Sequence, residues 1–113
     1  MHIAFDAKRA FQNQTGLGNY SRSLIKNLVQ YHPEHQYSLL APKATALFDV
    51  QGHTTIQTIT PQGFWSQRFP SGWRRWGMVK DIAKLQVDIV HGLSNELPGG
   101  LHKKRIRSVV TVH

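Results

Sequence analysis

The sequence contains no cysteine among its 113 residues. Disulfide frameworks, thiolate zinc sites and thiol catalysis are therefore excluded. No apolar run approaches the roughly 20 residues that a membrane-crossing helix needs. The opening residues, from Met1 to Asp6, lack the basic and apolar regions of a secretory signal. We therefore expect a cytosolic protein.

Acidic residues are also scarce, since six Asp and Glu stand against 14 Lys and Arg, for a net charge of +8. This balance predicts an anionic partner, which is a nucleic acid, a phosphate-bearing ligand or an anionic membrane surface. A merely solubilising basic surface is the alternative. With 40% hydrophobic and 18% charged residues, the chain is too apolar for disorder and has the size of one domain over residues 1–113.

Apolar runs alternate with helical patterns along the chain. Period-two or continuous apolar runs predict strands over residues 2–6, 37–41, 55–59, 87–91 and 105–112. Apolar residues at three- and four-residue spacing predict helices over residues 17–31 and 73–85. The stretch 7–16 is predicted to be a polar loop. This alternation is typical of an α/β fold, a Rossmann-like and mainly parallel sheet flanked by helices.

A glycine pair opens the first predicted helix. Gly16, Leu17 and Gly18 follow the polar stretch that carries Lys8 and Arg9. Glycines let a backbone approach a ligand closely, and a helix N-terminus offers unpaired N–H groups to a phosphate or a sugar hydroxyl. The dinucleotide fingerprint is incomplete, because Ser21 stands where its third glycine would be. A simple flexible entry into the helix remains the alternative.

Two histidines lie at predicted strand tips, where α/β proteins gather their ligands. His91 ends the fourth predicted strand, and His113 ends the fifth. The loop after His91 contains Ser94, Asn95 and Glu96. No pattern typical of a zinc enzyme is present, and we expect no metal and no redox cofactor. Satisfied polar groups without a ligand are the alternative interpretation.

Aromatic and basic residues alternate in one segment. Trp73-Arg74-Arg75-Trp76 follows Trp65 and Arg68. Such a segment can stack on nucleic-acid bases or contact an anionic membrane peripherally. Alternatively, the tryptophans share their helical phase with Val79 and Ile82 and dock a helix on the sheet.

Three motifs in this order resemble the amino-terminal domain of family 4 glycosyltransferases of the GT-B fold, most of all the bacterial cell-surface polysaccharide type. The motifs are I-A-F-D-A-K-R-A-F with T-G-L-G-N-Y-S-R, then D-I-V-H-G-L-S-N-E-L-P, then S-V-V-T-V-H. The resemblance spans nearly the whole chain and is weakest over residues 44–69. It implies a hexosyltransferase, expected to retain anomeric configuration, that transfers a sugar from a nucleotide sugar to a glycan or lipid-linked acceptor.

The resemblance also implies site residues. Gly16, Leu17 and Gly18 match the loop that approaches the donor phosphate and sugar, and His113 matches the catalytic histidine near the reacting carbon. The acceptor side is expected to include Lys8, Arg9, His91, Ser94, Asn95 and Glu96. No metal is implied for this half.

The family places its nucleotide-sugar site in a second domain that this sequence does not contain. We therefore expect the chain to be inactive alone and to self-associate through an exposed edge at its last strand. Two other functions stay open on the residues alone. One is a basic single-stranded nucleic-acid-binding domain, less favoured, and the other is a stand-alone nucleotide or metabolite-binding module.

Overall fold

A computed structural model of the chain describes residues 1–41, 45–49, 55–60, 82, 84–93 and 106–111. Its strands are β1 (His2–Asp6), β2 (Gln36–Leu40), β3 (Ile56–Ile59), β4 (Ile89–Gly92) and β5 (Arg107–Val110). They form one parallel sheet in the order β3-β2-β1-β4-β5. The predicted α/β fold with a parallel, helix-flanked sheet is confirmed, and each predicted strand overlaps an observed one.

The stretch after β1 is not the loop that its polarity predicts. It forms a short helix, α1 (Lys8–Gln12). Ala7, Ala10 and Phe11 are fully or almost fully buried. Their three- and four-residue spacing places them on one face of the helix. This apolar pattern is too short to be recognised among its polar neighbours in the sequence. Burial of this face therefore decides the local structure.

The predicted long helix is confirmed as α2 (Gly16–Tyr31), but its buried face is rotated from the predicted one. The apolar residues whose three- and four-residue spacing predicts the helix include Leu17, Tyr20 and Leu24, but Tyr20 is 41% exposed. The buried positions are Gly18, Ser21, Arg22, Ile25 and Val29. Small and polar residues face inward at the start of α2 because that end packs closely on α1 rather than on a deep apolar layer.

The sheet separates two apolar clusters. Phe5, Tyr37 and Leu39 point to the face covered by α1 and α2, where they pack with Phe11 and Ile25. The opposite face buries a smaller set, consisting of Ala4, Leu40, Ile82 and Val90. Both faces of the central strand β1 are thus covered, which explains why its side chains are mostly apolar.

The second predicted helix lies mostly outside the described residues. Ile82 and Lys84 are helical, and a turn with a positive φ of 55° at Gln86 follows them, close to the predicted end at residue 85.

Strand β5 forms one edge of the sheet and carries Val109 and Val110, which are 49% and 39% exposed. In the part of the chain that the structure describes, no helix has the length and hydropathy to cross a membrane.

Candidate functional site

The strand order reverses direction at the centre of the sheet. The chain runs from β1 outward through β2 to β3, and then returns to the other side of β1 for β4 and β5. In open α/β sheets, such a switch leaves a crevice beyond the carboxyl ends of the two strands that flank it. Asp6 ends β1 there, and its register partner Gly92 ends β4. This crevice is the candidate site.

The residues directly after β1 bring charge to the crevice. Asp6 is only 5% exposed, and its Oδ1 lies 3.5 Å from the backbone nitrogen of Lys8 at the start of α1. Lys8 and Arg9 follow in the first turn of α1, and both are partly buried. The structure therefore places the two predicted acceptor-side cations next to the tip of β1.

The start of α2 is organised by Asn13. Its side-chain oxygen Oδ1 accepts hydrogen bonds from the backbone N–H and hydroxyl of Thr15, at 2.8 and 2.7 Å, and from the N–H of Gly18 at 3.1 Å. This arrangement replaces the usual cap by the preceding residue, since the Thr15 side chain makes no capping bond. Within the described residues, the N–H groups of Gly16 and Leu17 have no protein acceptor, as is usual for a first helical turn.

The two glycines have different surroundings. A Cβ atom at Gly18 would lie 1.8 Å from the backbone oxygen of Asn13 and 2.9 Å from that of Arg9. Gly18 is therefore required for close packing between α2 and the end of α1. A Cβ atom at Gly16 would meet nothing within 4 Å. Of these two glycines, Gly16 is therefore the one that has open space for a ligand beside it.

The buried side chain of Arg22 holds the connection between α1 and α2 in place. Arg22 is 9% exposed. Its guanidinium donates to the backbone oxygens of Ala10 and Asn13, at 3.0 and 2.8 Å, and to Oδ1 of Asn19 at 2.6 Å. These partners are neutral, so the positive charge of Arg22 adds to the partial positive charge of the α2 N-terminus. The start of α2 is thereby suited to an anionic oxygen or to a hydroxyl acceptor.

His91 lies on β4 beside the central strand. Its ring packs against the ring of Phe5, with centroids 5.5 Å apart, and its Nε2 lies 2.7 Å from the hydroxyl oxygen of Thr111. Burial lowers the pKa of His91 below its ordinary value of 6.5, which favours the neutral imidazole. One ring nitrogen is thus already engaged within the protein, as the satisfied-polar-group interpretation expects.

The remaining predicted site residues lie outside the described part of the chain. They are His113, Ser94, Asn95 and Glu96. The aromatic and basic segment at residues 64–76 lies outside it as well. Of the predicted site, the structure therefore describes Lys8, Arg9, the loop 16–18 and His91, and it packs α1 against the start of α2.

Asn13, Arg22 and Thr111 were missed by sequence reasoning. An asparagine two residues before a threonine is a known turn former, and this signal was present. A buried arginine leaves no such signal, because arginine in a helix is normally exposed. Thr111 becomes relevant only through the pairing of β4 with β5, a long-range contact.

Two open pockets, of about 530 and 220 Å³, lie at the amino edge of the sheet, beside Asp88 and Gln57 respectively. Neither pocket is lined by a residue of the crevice, which is defined by the strand order and by the start of α2. Comparisons of the chain with protein-family models, with curated proteins and with solved structures give no match.

Proposed function

We propose that the chain is the acceptor-side domain of a GT-B glycosyltransferase, which transfers a sugar from a nucleotide-sugar donor to a glycan or lipid-linked acceptor. The observation that carries the proposal is the open start of α2 at the carboxyl edge of the sheet. There the N–H groups of Gly16 and Leu17 adjoin a position without side-chain obstruction. The three ordered sequence motifs independently favour the same function.

The proposed reaction places charge where this site can stabilise it. The bond between the anomeric carbon and the diphosphate oxygen breaks, and the electron pair leaves with the diphosphate. The acceptor oxygen forms the new glycosidic bond and releases its proton. Negative charge grows on the leaving diphosphate, so backbone N–H groups and the cation of Arg22 stabilise the transition state more than the ground state.

The acceptor side has its own requirement. A glycan or lipid-linked acceptor presents hydroxyl groups and, in the second case, phosphate. Lys8 and Arg9 lie in α1 directly after β1, at the same edge of the sheet as the start of α2. We assign these two residues to acceptor binding, because a cation next to the crevice attracts an anionic acceptor.

Gly16→Val tests the donor loop in the full-length gene product, since the proposal requires a second domain for the donor. We expect kcat/KM for the donor to fall at least about tenfold, because the new side chain occupies the approach to the N–H groups. The fold should persist, as no atom lies near the added Cβ. Ser23→Val, at an exposed position of the same helix, is the matched control and should retain activity.

The same assay includes His113→Ala, for which we expect turnover to fall by about two orders of magnitude. The 113-residue chain alone should turn over no nucleotide sugar. A full-length product that transfers no sugar from a panel of nucleotide sugars would overturn the proposal. Salt-sensitive binding of single-stranded nucleic acid by that inactive product would instead favour the nucleic-acid function.

A further inference from the structure

A turn at the other end of α2 gathers three metal-ligating side chains. His32, Glu34 and His35 lie in the connection between α2 and β2, and one ligand atom from each lies within 4.8 Å of the others. We call these residues the histidine turn. Their sequence, His-Pro-Glu-His, does not match the zinc-enzyme patterns sought in the sequence, so the structure is what reveals the cluster.

The distances within the histidine turn suit a tetrahedral ion. Nδ1 of His32 lies 3.4 Å from Oε1 of Glu34, and Nε2 of His35 lies 3.6 Å from the same oxygen. Zinc bonds to nitrogen and oxygen of about 2.0–2.1 Å place two tetrahedral ligands about 3.4 Å apart. The two histidine–glutamate separations therefore match those of a tetrahedral site, and the two imidazole rings, whose planes are 24° apart, must rotate to point both nitrogens at one ion.

The donor set indicates which cation would bind. Two imidazole nitrogens and one carboxylate oxygen form a combination that zinc accepts. Magnesium and calcium prefer sites made entirely of oxygen. The side chains of His32 and Glu34 are 53% and 59% exposed, so water can reach a fourth coordination position.

Tyr37 holds the histidine turn in place. Its hydroxyl group lies 2.7 Å from the backbone oxygen of His32 and 3.1 Å from that of Leu28, and donates to them. The ring of His35 packs edge-on against the Tyr37 ring, with centroids 6.5 Å apart. Because Tyr37 is completely buried, both histidines are tied to the core. Less conformational entropy is then lost when an ion binds.

The surrounding charges orient the ligands. The histidine turn follows the C-terminal end of α2, where the helix dipole places partial negative charge and favours a cation. Zinc at Nε2 of His35 requires the ring proton on Nδ1, so the terminal ammonium of Met1, which lies 3.3 Å from that nitrogen, must move away when the ion binds. The net charge of +8 opposes cation binding, but salt screens it beyond about 8 Å.

From this geometry we propose that the histidine turn binds one Zn²⁺ ion through His32, Glu34 and His35, with water in the fourth position, and so ties the end of α2 to the start of β2. The proposal does not depend on the proposed function, because the turn lies at the opposite edge of the sheet from the crevice.

Isothermal titration of the 113-residue chain with zinc chloride tests the site. We expect one ion to bind per chain. His32→Gln and His35→Gln should each weaken binding by about tenfold or more, because even residues that only support zinc ligands commonly cost that much. Glu34→Gln should weaken it in the same direction. Magnesium chloride at the same concentration should not compete.

His91→Gln is the matched control, since it removes a histidine at the opposite edge and should leave zinc affinity unchanged. A second measurement uses cobalt, whose visible absorption reports tetrahedral coordination and should appear in the wild-type chain but not in His35→Gln. Circular dichroism checks that the variants fold. The absence of zinc binding would overturn the proposal, and so would binding that His32→Gln and His35→Gln leave unchanged.

Discussion

At each end of α2, a side chain from outside the helix hydrogen-bonds to the helix backbone, and the groups left exposed at the two ends differ in charge preference. At the N-terminal end, the Asn13 side chain accepts from the N–H of Gly18, and the N–H groups of Gly16 and Leu17 have no acceptor among the described residues. At the C-terminal end, the Tyr37 hydroxyl binds the carbonyl oxygens of Leu28 and His32. The side chains gathered just beyond that end are two imidazoles and a carboxylate.

This difference follows the polarity of the helix. The N-terminal end carries partial positive charge, and its open N–H groups suit an anion. The C-terminal end carries partial negative charge, and the histidine turn suits a cation. One helix thus presents two chemically opposite surfaces at the two edges of the sheet. Substitutions at each end should therefore have separable effects.

The largest expected effect is at the N-terminal end. Gly18→Ala should lower the free energy of unfolding by about 3 kcal/mol, because the new Cβ would lie 1.8 Å from the Asn13 backbone oxygen and the helices α1 and α2 must separate. Gly16→Ala should change stability by less than about 1 kcal/mol, toward greater stability if at all. Urea denaturation of both variants measures the difference.

Equal loss of stability in the two glycine variants would contradict this assignment. It would mean that the start of α2 is uniformly crowded and that Gly16 is not open to a ligand. Gly16→Ala is also the internal control for the donor-loop test, since it adds a Cβ atom without the bulk of valine.

The glycine pair Gly16 and Gly18 was partly interpretable from the sequence. The pair predicted that backbone approaches something closely near residues 16–18, but not that at Gly18 the neighbour is the chain itself. That neighbour is set by α1, and α1 was missed because its apolar stripe spans a single turn. The parallel sheet was predictable, since alternating strands and helices leave few arrangements.

The C-terminal end was less predictable for a related reason. The helix predicted over residues 17–31 ends at the same residue as α2, Tyr31; Pro33 follows it, and the residue before a proline avoids the α region. Nothing local indicated that Tyr37, five residues beyond His32, would return its hydroxyl group to that end. Because Tyr37 lies on β2, its position is fixed by the pairing of β2 with β1 and β3. The histidine turn is therefore a product of tertiary structure.

A smaller effect is expected at the C-terminal end. Tyr37→Phe should lower the free energy of unfolding by about 1 kcal/mol, because the Leu28 and His32 carbonyl oxygens lose the hydroxyl donor but keep the backbone N–H groups of His32 and His35 as donors. Burial raises the pKa of Tyr37 above 10.0, with a smaller contribution from the Glu34 carboxylate. The wild-type chain should therefore lose stability as the pH rises above about 10, and this variant should lose less.

Denaturation of both chains between neutral and alkaline pH measures this effect. The same variant should bind zinc more weakly, because the backbone of His32 is no longer held. Unchanged zinc affinity together with reduced stability would show that Tyr37 caps α2 without organising the histidine turn.

The smallest expected effect on stability comes from His91, at the opposite edge of the sheet. Its contribution is lost in acid, whereas that of Tyr37 is lost in alkali. Burial lowers the pKa of His91 below 6.5, so below that pH the unfolded chain takes up a proton that the folded chain resists. The His91 contribution to stability is thus complete above about pH 6.5 and is lost as the pH falls toward its folded-state pKa.

His91→Gln isolates this contribution, since the other six of the seven histidines are present in both chains and their contributions cancel in the difference. Glutamine can still donate to the Thr111 hydroxyl, which is bound to His91 in the wild type, so the fold should be retained. We expect the stability of the wild type relative to the variant to decrease steadily below pH 6.5, as measured by urea denaturation at several pH values. A difference that stays constant with pH would mean that the His91 ring is as well solvated in the folded chain as in the unfolded one. If the stability of the wild type relative to the variant instead increased in acid, the folded chain would bind the proton more tightly than the unfolded chain. The His91 ring would then be protonated next to an anionic group, and both edges of the sheet would contain histidine beside negative charge.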